Sequence, residues 1–308
     1  MALKRPRRTT QTIAYIFSAI VALSMIISLL GPILMGTPSQ PTPTYPPTWT
    51  PLPTWTPTAP PASATATSPA TVETPVAGPP EPLVFAVAGD NRDNDQVYLA
   101  VLDRIVQDGN AFLLHTGDMV GYGSRGQFAA FRDLMSDFSL PFYPVPGNHD
   151  ANDDGTYANF IEFSGAPDTH YSFDVETVHL AVANSTSGHL SEGQLEWLDR
   201  DLAATDQPVK MVAIHYPPID PDGSADILYS GREEFLSLMV KHEVAYVFSG
   251  HIHAYSQTEQ DGTTYVITAG AGAPLYTEGH PNAFYHYVQV WVEGTRVRTE
   301  VVRIDAEG

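Results

Sequence analysis

Three apolar runs of strand length each end in a glycine followed by a residue able to bind a cation. Residues 83–88 lead into Gly89-Asp90, 111–114 into Gly117-Asp118, and 141–145 into Gly147-Asn148-His149-Asp150. Between them, 95–107 carries Val97, Leu99, Val101, Leu102 and Ile105 at helical spacing, and 126–138 repeats the amphipathic pattern. Strand, helix, strand, helix, strand calls for parallel strands joined by crossover helices. In sheets of that kind ligands bind beyond the carboxyl ends of the strands, and all three clusters stand there.

The second half changes rhythm. Residues 171–175 and 178–184 read as a hairpin, and 191–203 as a helix with Ser191 at its N-cap. An apolar run at 209–214 delivers His215. A helix at 232–242 precedes a strand at 245–248, which delivers Gly250-His251-Ile252-His253. The tail is strand-rich at 263–269, 284–292 and 295–304, with Asp261-Gly262 and Glu293-Gly294 as turn signals. The expected fold is α/β, two mixed sheets packed face to face with helices outside.

Taken singly, these residues have plain explanations. An aspartate after a strand is often a turn residue, and His215 alone is most often a core histidine. The ordered set points elsewhere. Carboxylate, amide and imidazole groups at several strand ends suit a two-metal hydrolytic centre. His251 and His253, two apart on an extended segment, point the same way. His115 is expected to be structural, His286 and Tyr276 to reach the pocket rim, and His189, His242 and His280 to lie at the surface.

The N-terminal quarter is different in kind. No charged residue occurs from Thr9 to Val72, and 12–35 is almost wholly apolar. A 24-residue helix is about 36 Å long, enough for a hydrocarbon core of roughly 30 Å. Lys4, Arg5, Arg7 and Arg8 precede it, which predicts a cytoplasmic N-terminus and an exported remainder. A cleaved signal peptide is the alternative, although its apolar core is usually about 7–15 residues. The Pro/Thr-rich stretch that follows, which includes two Pro-Thr-Trp-Thr-Pro units, has no means of burying a core. The expected organisation is a basic N-terminus at 1–11, a membrane signal-anchor at 12–35, a disordered linker at 36–82, and one domain at 83–308.

The chain has 15 basic and 35 acidic residues, a net charge of −20. Setting aside the four N-terminal cations leaves 11 against 35, or −24. So acidic a chain repels polyanions and argues against double-stranded nucleic acid as a partner. There is no cysteine, which excludes disulfides, thiolate ligands and cysteine nucleophiles.

The clusters, in order, resemble the calcineurin-like metallophosphoesterase superfamily, whose signature runs GD, GD, GNH(D/E), H and GHxH. All five parts occur here in sequence, and the resemblance covers 83–308. It implies a four-layer αββα sandwich around two divalent or trivalent ions, whether Mn, Fe or Zn. Asp90 and His253 are then expected to bind the first ion, with Asp118 bridging. Asn148, His215 and His251 are expected to bind the second. His149 is expected to protonate the leaving oxygen, after attack on phosphorus by a metal-activated hydroxide. The substrate is expected to be a small phosphate mono- or diester, touched by Asn148 and His149.

The chain departs from the family pattern at two points. The usual Asp-x-His is here Asp90-Asn91-Arg92, so the first ion loses an imidazole and is expected to be the more labile. A guanidinium cannot ligate; Arg92 is left to hold a phosphate oxygen or to pair with a carboxylate. Where one branch has GDxxDRG, with the second Asp orienting the catalytic His, this chain has Gly121. Where the purple acid phosphatase-like branch has GDxxY, the tyrosine is one place later, at Tyr122. A surface binding protein on a weakened phosphoesterase fold is the alternative reading.

Overall fold

A computed structural model of the chain describes residues 81–305, apart from 153, 222, 224 and 277–281. The expected membrane segment and all but the last two linker positions lie outside these residues, as does His280. Among the described residues no helix is long and apolar enough to cross a membrane.

Strands β1 (Leu83–Ala88), β2 (Leu113–His115) and β3 (Phe142–Pro144) run parallel, as expected. β10 (His286–Glu293) pairs antiparallel with β1, and β11 (Arg296–Arg303) with β10, giving a sheet ordered β11-β10-β1-β2-β3. The second sheet contains β4 (Tyr171–Val175), β5 (Val178–Val182), β6 (Val209–Ala213), β7 (Tyr246–Ser249), β8 (Tyr255–Gln260) and β9 (Thr263–Thr268), ordered β4-β5-β6-β7-β9-β8. Its inner strands β5, β6, β7 and β9 are parallel. Its edges β4 and β8 are antiparallel.

The period-two alternation of each strand assigns its side chains to two layers. On β1, Phe85 and Val87 point between the sheets, where they join Leu114, Leu180, Met211, Phe248 and Val290. Ala86 and Ala88 point outward, under helix α1 (Asp95–Gln107) and helix α2 (Arg125–Leu134). The small alanines leave room for Val97, Tyr98, Val101 and Phe128. On the other outer face, Ala183, Val212 and Val247 carry Leu198 and Leu202 of α4 (Glu192–Ala204) and Phe235 and Met239 of α5 (Arg232–Lys241). Burying each large apolar side chain contributes roughly 1.5–3 kcal/mol, so both sheets are held on both faces. The N-cap at Ser191 is present, its Oγ accepting from Gln194 N at 3.3 Å.

Several expectations need correction. The helix expected over 126–138 ends at Leu134 and tightens into a 3-10 turn at Met135–Asp137. Helix α3 (Ala158–Ser164) and strand β8 gave no apolar pattern strong enough to read. β8 is an edge strand whose residues from Gln257 to Gln260 are exposed, so no hydrophobic alternation is needed there. His242 is buried, not at the surface, its Nε2 2.6 Å from Asp199 Oδ1. His286 is fully buried rather than on a rim, and burial pushes its pKa down to about 4.

Hairpin β4–β5 is fastened to α4 by a polar clamp. His179 lies opposite Asp174 across the strand pair. Its Nδ1 is 2.7 Å from Asp174 Oδ1 and its Nε2 2.8 Å from Asp201 Oδ2. Ser172 Oγ donates to the other Asp201 oxygen at 2.6 Å. Burial lowers the His179 pKa, but its bonds to the two aspartates outweigh that and raise it. Stability from this raised value is fully present below about 6.5 and is lost as pH rises through the higher folded value. His179→Gln should therefore lower stability by roughly 2 kcal/mol at pH 6 and by less at pH 9. Thermal unfolding of both proteins at the two pH values checks this; an equal loss at both would reject a charged clamp.

Candidate metal centre

Five strand ends meet at one edge of the paired sheets. β1 delivers Asp90, β2 Asp118, β3 Asn148 and His149, β6 His215, and β7 His251 and His253. The two sheets are stitched together at this point. His251 N, from the second sheet, donates to Asp90 Oδ1, from the first, at 3.1 Å, while within each sheet Asp90 N donates to Gly117 O at 2.9 Å and Gly250 N to His215 O at 3.1 Å. The glycines of the motifs make this closeness possible. A Cβ on Gly147 would stand 2.1 Å from Asp118 N, and one on Gly250 2.4 Å from Asp90 Oδ2. Asp90, Asp118 and His251 themselves sit in the left-handed region, at φ 58°, 57° and 70°. Non-glycine residues adopt it seldom and at a cost, and such strain concentrates at functional sites.

The imidazoles are fixed from behind. His253 Nδ1 lies 2.7 Å from Pro274 O, and His215 Nδ1 2.8 Å from Thr116 O. Within each pair the carbonyl can only accept, so both rings keep Nδ1–H and turn a lone pair on Nε2 inward. His251 is held the other way round, with Nε2 3.0 Å from Asp226 Oδ1 and Nδ1 turned inward. Its ring also stacks on Tyr216 at 3.8 Å. Asn148 Oδ1 then lies 2.9 Å from His215 Nε2 and 3.0 Å from His251 Nδ1, and Asp118 Oδ1 is 3.4 Å from His215 Nε2.

Lone pairs thus face oxygens in a buried pocket, an arrangement that a cation or a proton must relieve. These separations match a cation's coordination shell. Ligand atoms about 2.1 Å from one ion stand roughly 3.0 to 3.4 Å apart. A second group, Asp90, Asp118 and His253, also brings one ligand atom from each residue within 4.8 Å of the others. Without an ion, protons respond to the same field. Burial opposes a charge on His215, but Asp118 and Asp90 outweigh it and raise its pKa. Burial likewise raises Asp90, but the His253 bond and the surrounding imidazoles outweigh it and lower its pKa.

His149 stands beside this pocket. Its backbone N donates to Asp118 Oδ1 at 2.9 Å, its Nε2 is 3.9 Å from Asp118 Oδ2, and its side chain is 33% exposed. Its Nδ1 is 2.8 Å from Gly121 O. The residue that replaces the orienting aspartate of one family branch therefore orients the imidazole with its backbone carbonyl. Tyr122 is 73% exposed, its ring out in solvent rather than among the candidate ligands. Arg92 places Nε 3.5 Å from Asp118 Oδ2 and Nη1 3.0 Å from Asp93 Oδ2. It thus lies within ion-pair distance of two carboxylates.

The family model for calcineurin-like phosphoesterases matches residues 83–255. The chain belongs to that family. Among curated relatives, one bearing the name "probable glycerophosphodiester phosphodiesterase", from Arcobacter nitrofigilis, is 27% identical over 47% of this chain and 58% of its own length. A 3′,5′-cyclic-nucleotide phosphodiesterase of Nostoc sp. is 25% identical over 55% of this chain and 66% of that protein. Purple acid phosphatase 22 of Arabidopsis thaliana is 29% identical over 57% of this chain and 45% of that protein. The chain thus spans less than two thirds of each of these three relatives. A purple acid phosphatase from yellow lupin seeds shares the fold, with a TM-score of 0.61 at 16% identity, over 72% of this chain and 52% of that one. A dimetal phosphatase from Danio rerio does so at 0.51 and 16%, over 72% and 96%.

Three residues of this calcineurin-like centre were not singled out from sequence as support. Asp226 comes from a loop remote in sequence and carries no motif. Asn91 accepts from buried His115, its Oδ1 2.9 Å from Nε2, and donates to Met119 O; burial pushes His115 down to about 3, which keeps the ring neutral and structural, as expected. Asp150 does most. Its buried carboxylate accepts from Gly147 N at 2.8 Å, Asp118 N at 3.0 Å, Met119 N at 2.9 Å and Val120 N at 3.3 Å. Burial, then the charge of Asp118, push its carboxyl up to about 7, with the backbone donors opposing. Its place directly after Asn148-His149 was the available signal. Asp150→Ala strands four buried donors and should destabilise the fold by roughly 3 kcal/mol or more. Urea unfolding measures it; a loss below about 1 kcal/mol would reject the staple role.

Proposed function

We propose that this chain hydrolyses small phosphate mono- or diesters at a metal centre formed by Asp90, Asp118, Asn148, His215, His251 and His253. The observation that carries the proposal is the set of inward lone pairs on His215 Nε2 and His251 Nδ1 facing Asn148 Oδ1 and Asp118 Oδ1. A bound ion there would supply Lewis acidity toward phosphoryl oxygens and lower the pKa of a bound water. The ligand set, carboxylate, amide and imidazole without thiolate, suits Mn, Fe or Zn.

The chain's own residues do the rest. His149, with Nδ1–H committed to Gly121 O, presents Nε2 to the open side, where it donates a proton to the leaving oxygen. Asn148 and His149 border the space a phosphoryl group enters. The names of the relatives, phosphodiesterases and phosphatases alike, support the reaction class without choosing between mono- and diester. The acidic surface favours small substrates over long polyanions. The charge pattern of residues 1–35 further supports a domain carried on the exported side of a membrane by a single anchor. Assay of intact cells with an impermeant phosphate ester tests that: substrate reached only after lysis would reject it.

With Mn, Fe, Zn or Mg supplied, the folded protein should release the chromophore from nitrophenyl phosphate mono- or diesters. Silence with every metal in a protein shown to be folded would refute the proposal. His149→Ala should lower kcat by about 10²–10⁴ while leaving bound metal unchanged, and His251→Ala should lose both.

A further inference from the structure

The Asp118 carboxylate is divided. Oδ1 faces His215 Nε2 at 3.4 Å and accepts from His149 N at 2.9 Å. Oδ2 faces Arg92 Nε at 3.5 Å. That nitrogen is buried and makes no hydrogen bond, so charge rather than a directed bond relates it to the carboxylate. The guanidinium is permanently protonated and offers no acceptor. It therefore stands next to the Asp90, Asp118 and His253 group as a fixed positive charge, drawing on the oxygen that a second ion would share. The two halves of the centre also differ in closeness. Around Asn148 the facing atoms are 2.9 and 3.0 Å apart, with Asp118 Oδ1 3.4 Å from His215 Nε2. In the other half His253 Nε2 is 3.5 Å from Asp90 Oδ1, and the three ligand atoms lie within 4.8 Å of one another.

We propose that Arg92 sets the metal stoichiometry of this centre. One ion is held firmly by Asn148, His215, His251 and Asp118 Oδ1, and the guanidinium replaces part of the charge of a second ion, which binds only weakly. Arg92 is thus a positioning residue that acts through Asp118 Oδ2. The inference rests on the metal-dependent reading above, and its test counts ions rather than turnover.

Full-length protein is stripped with chelator, titrated with Mn²⁺ by calorimetry, then desalted and analysed for retained manganese. Wild type should keep one ion per chain and show a second, weaker step. Arg92→His, which adds a ligand and removes the fixed charge, should retain two. Arg92→Leu, which removes charge without adding a ligand, should tighten the weaker step at least tenfold and leave the tight one in place. Circular dichroism establishes that each variant is folded, and failure of one to fold leaves the other and wild type to decide. Two ions retained by wild type, with hydrolysis intact, would overturn this inference and spare the proposed function. No bound ion and no hydrolysis would overturn both. A weak step unmoved in Arg92→Leu would also overturn it.

Discussion

The centre depends on two loops being held where neither would rest alone. The turn after β2 and the turn after β3 meet back to back at Gly147 and Asp118, too close for any side chain between them. Asp150 closes that contact by taking backbone N–H groups from both turns into one buried carboxylate. Buried donors left without partners are expensive, so the loops and the carboxylate are ordered together. Everything else at the site is referenced to that junction. Asp118 presents its oxygens, Asn148 and His149 follow the turn, and His215 reaches across from the second sheet.

The second sheet contributes by pairing as much as by chemistry. Its strands β6 and β7 run parallel, and Gly250 N to His215 O links their loops. The apolar layer between the sheets fixes the distance between the two halves of the ligand set. A packed core of that kind has low compressibility, which holds these side chains at fixed separations.

The sequence was most readable where local pattern and tertiary role agree. β1, α1 and β4 fall at the bounds their periodicity indicates, and the ligand candidates converge as the ordered motifs imply. It was least readable where burial no longer selects composition. β8 lies at an edge and needs only backbone pairing, and α3 is too short for helical spacing to register. His242 was misjudged because a polar partner, Asp199, allows a histidine to be buried beside a helix end. Asp226 and the carbonyl of Gly121 were invisible for another reason: both orient a ring through contacts that only the folded chain brings together.

The left-handed backbone at Asp90, Asp118 and His251 carries an evolutionary consequence. These positions select twice, once for an atom that can meet a cation and once for a side chain tolerated at positive φ. Asparagine, aspartate, histidine and glycine pass the second filter most easily, and the first three also pass the first. A drift to glutamate would keep the charge but meet the wrong backbone, and valine or isoleucine would fail both. Paths by which such a site could change its ligands are therefore few, and exchange within that small alphabet is the one the fold leaves open.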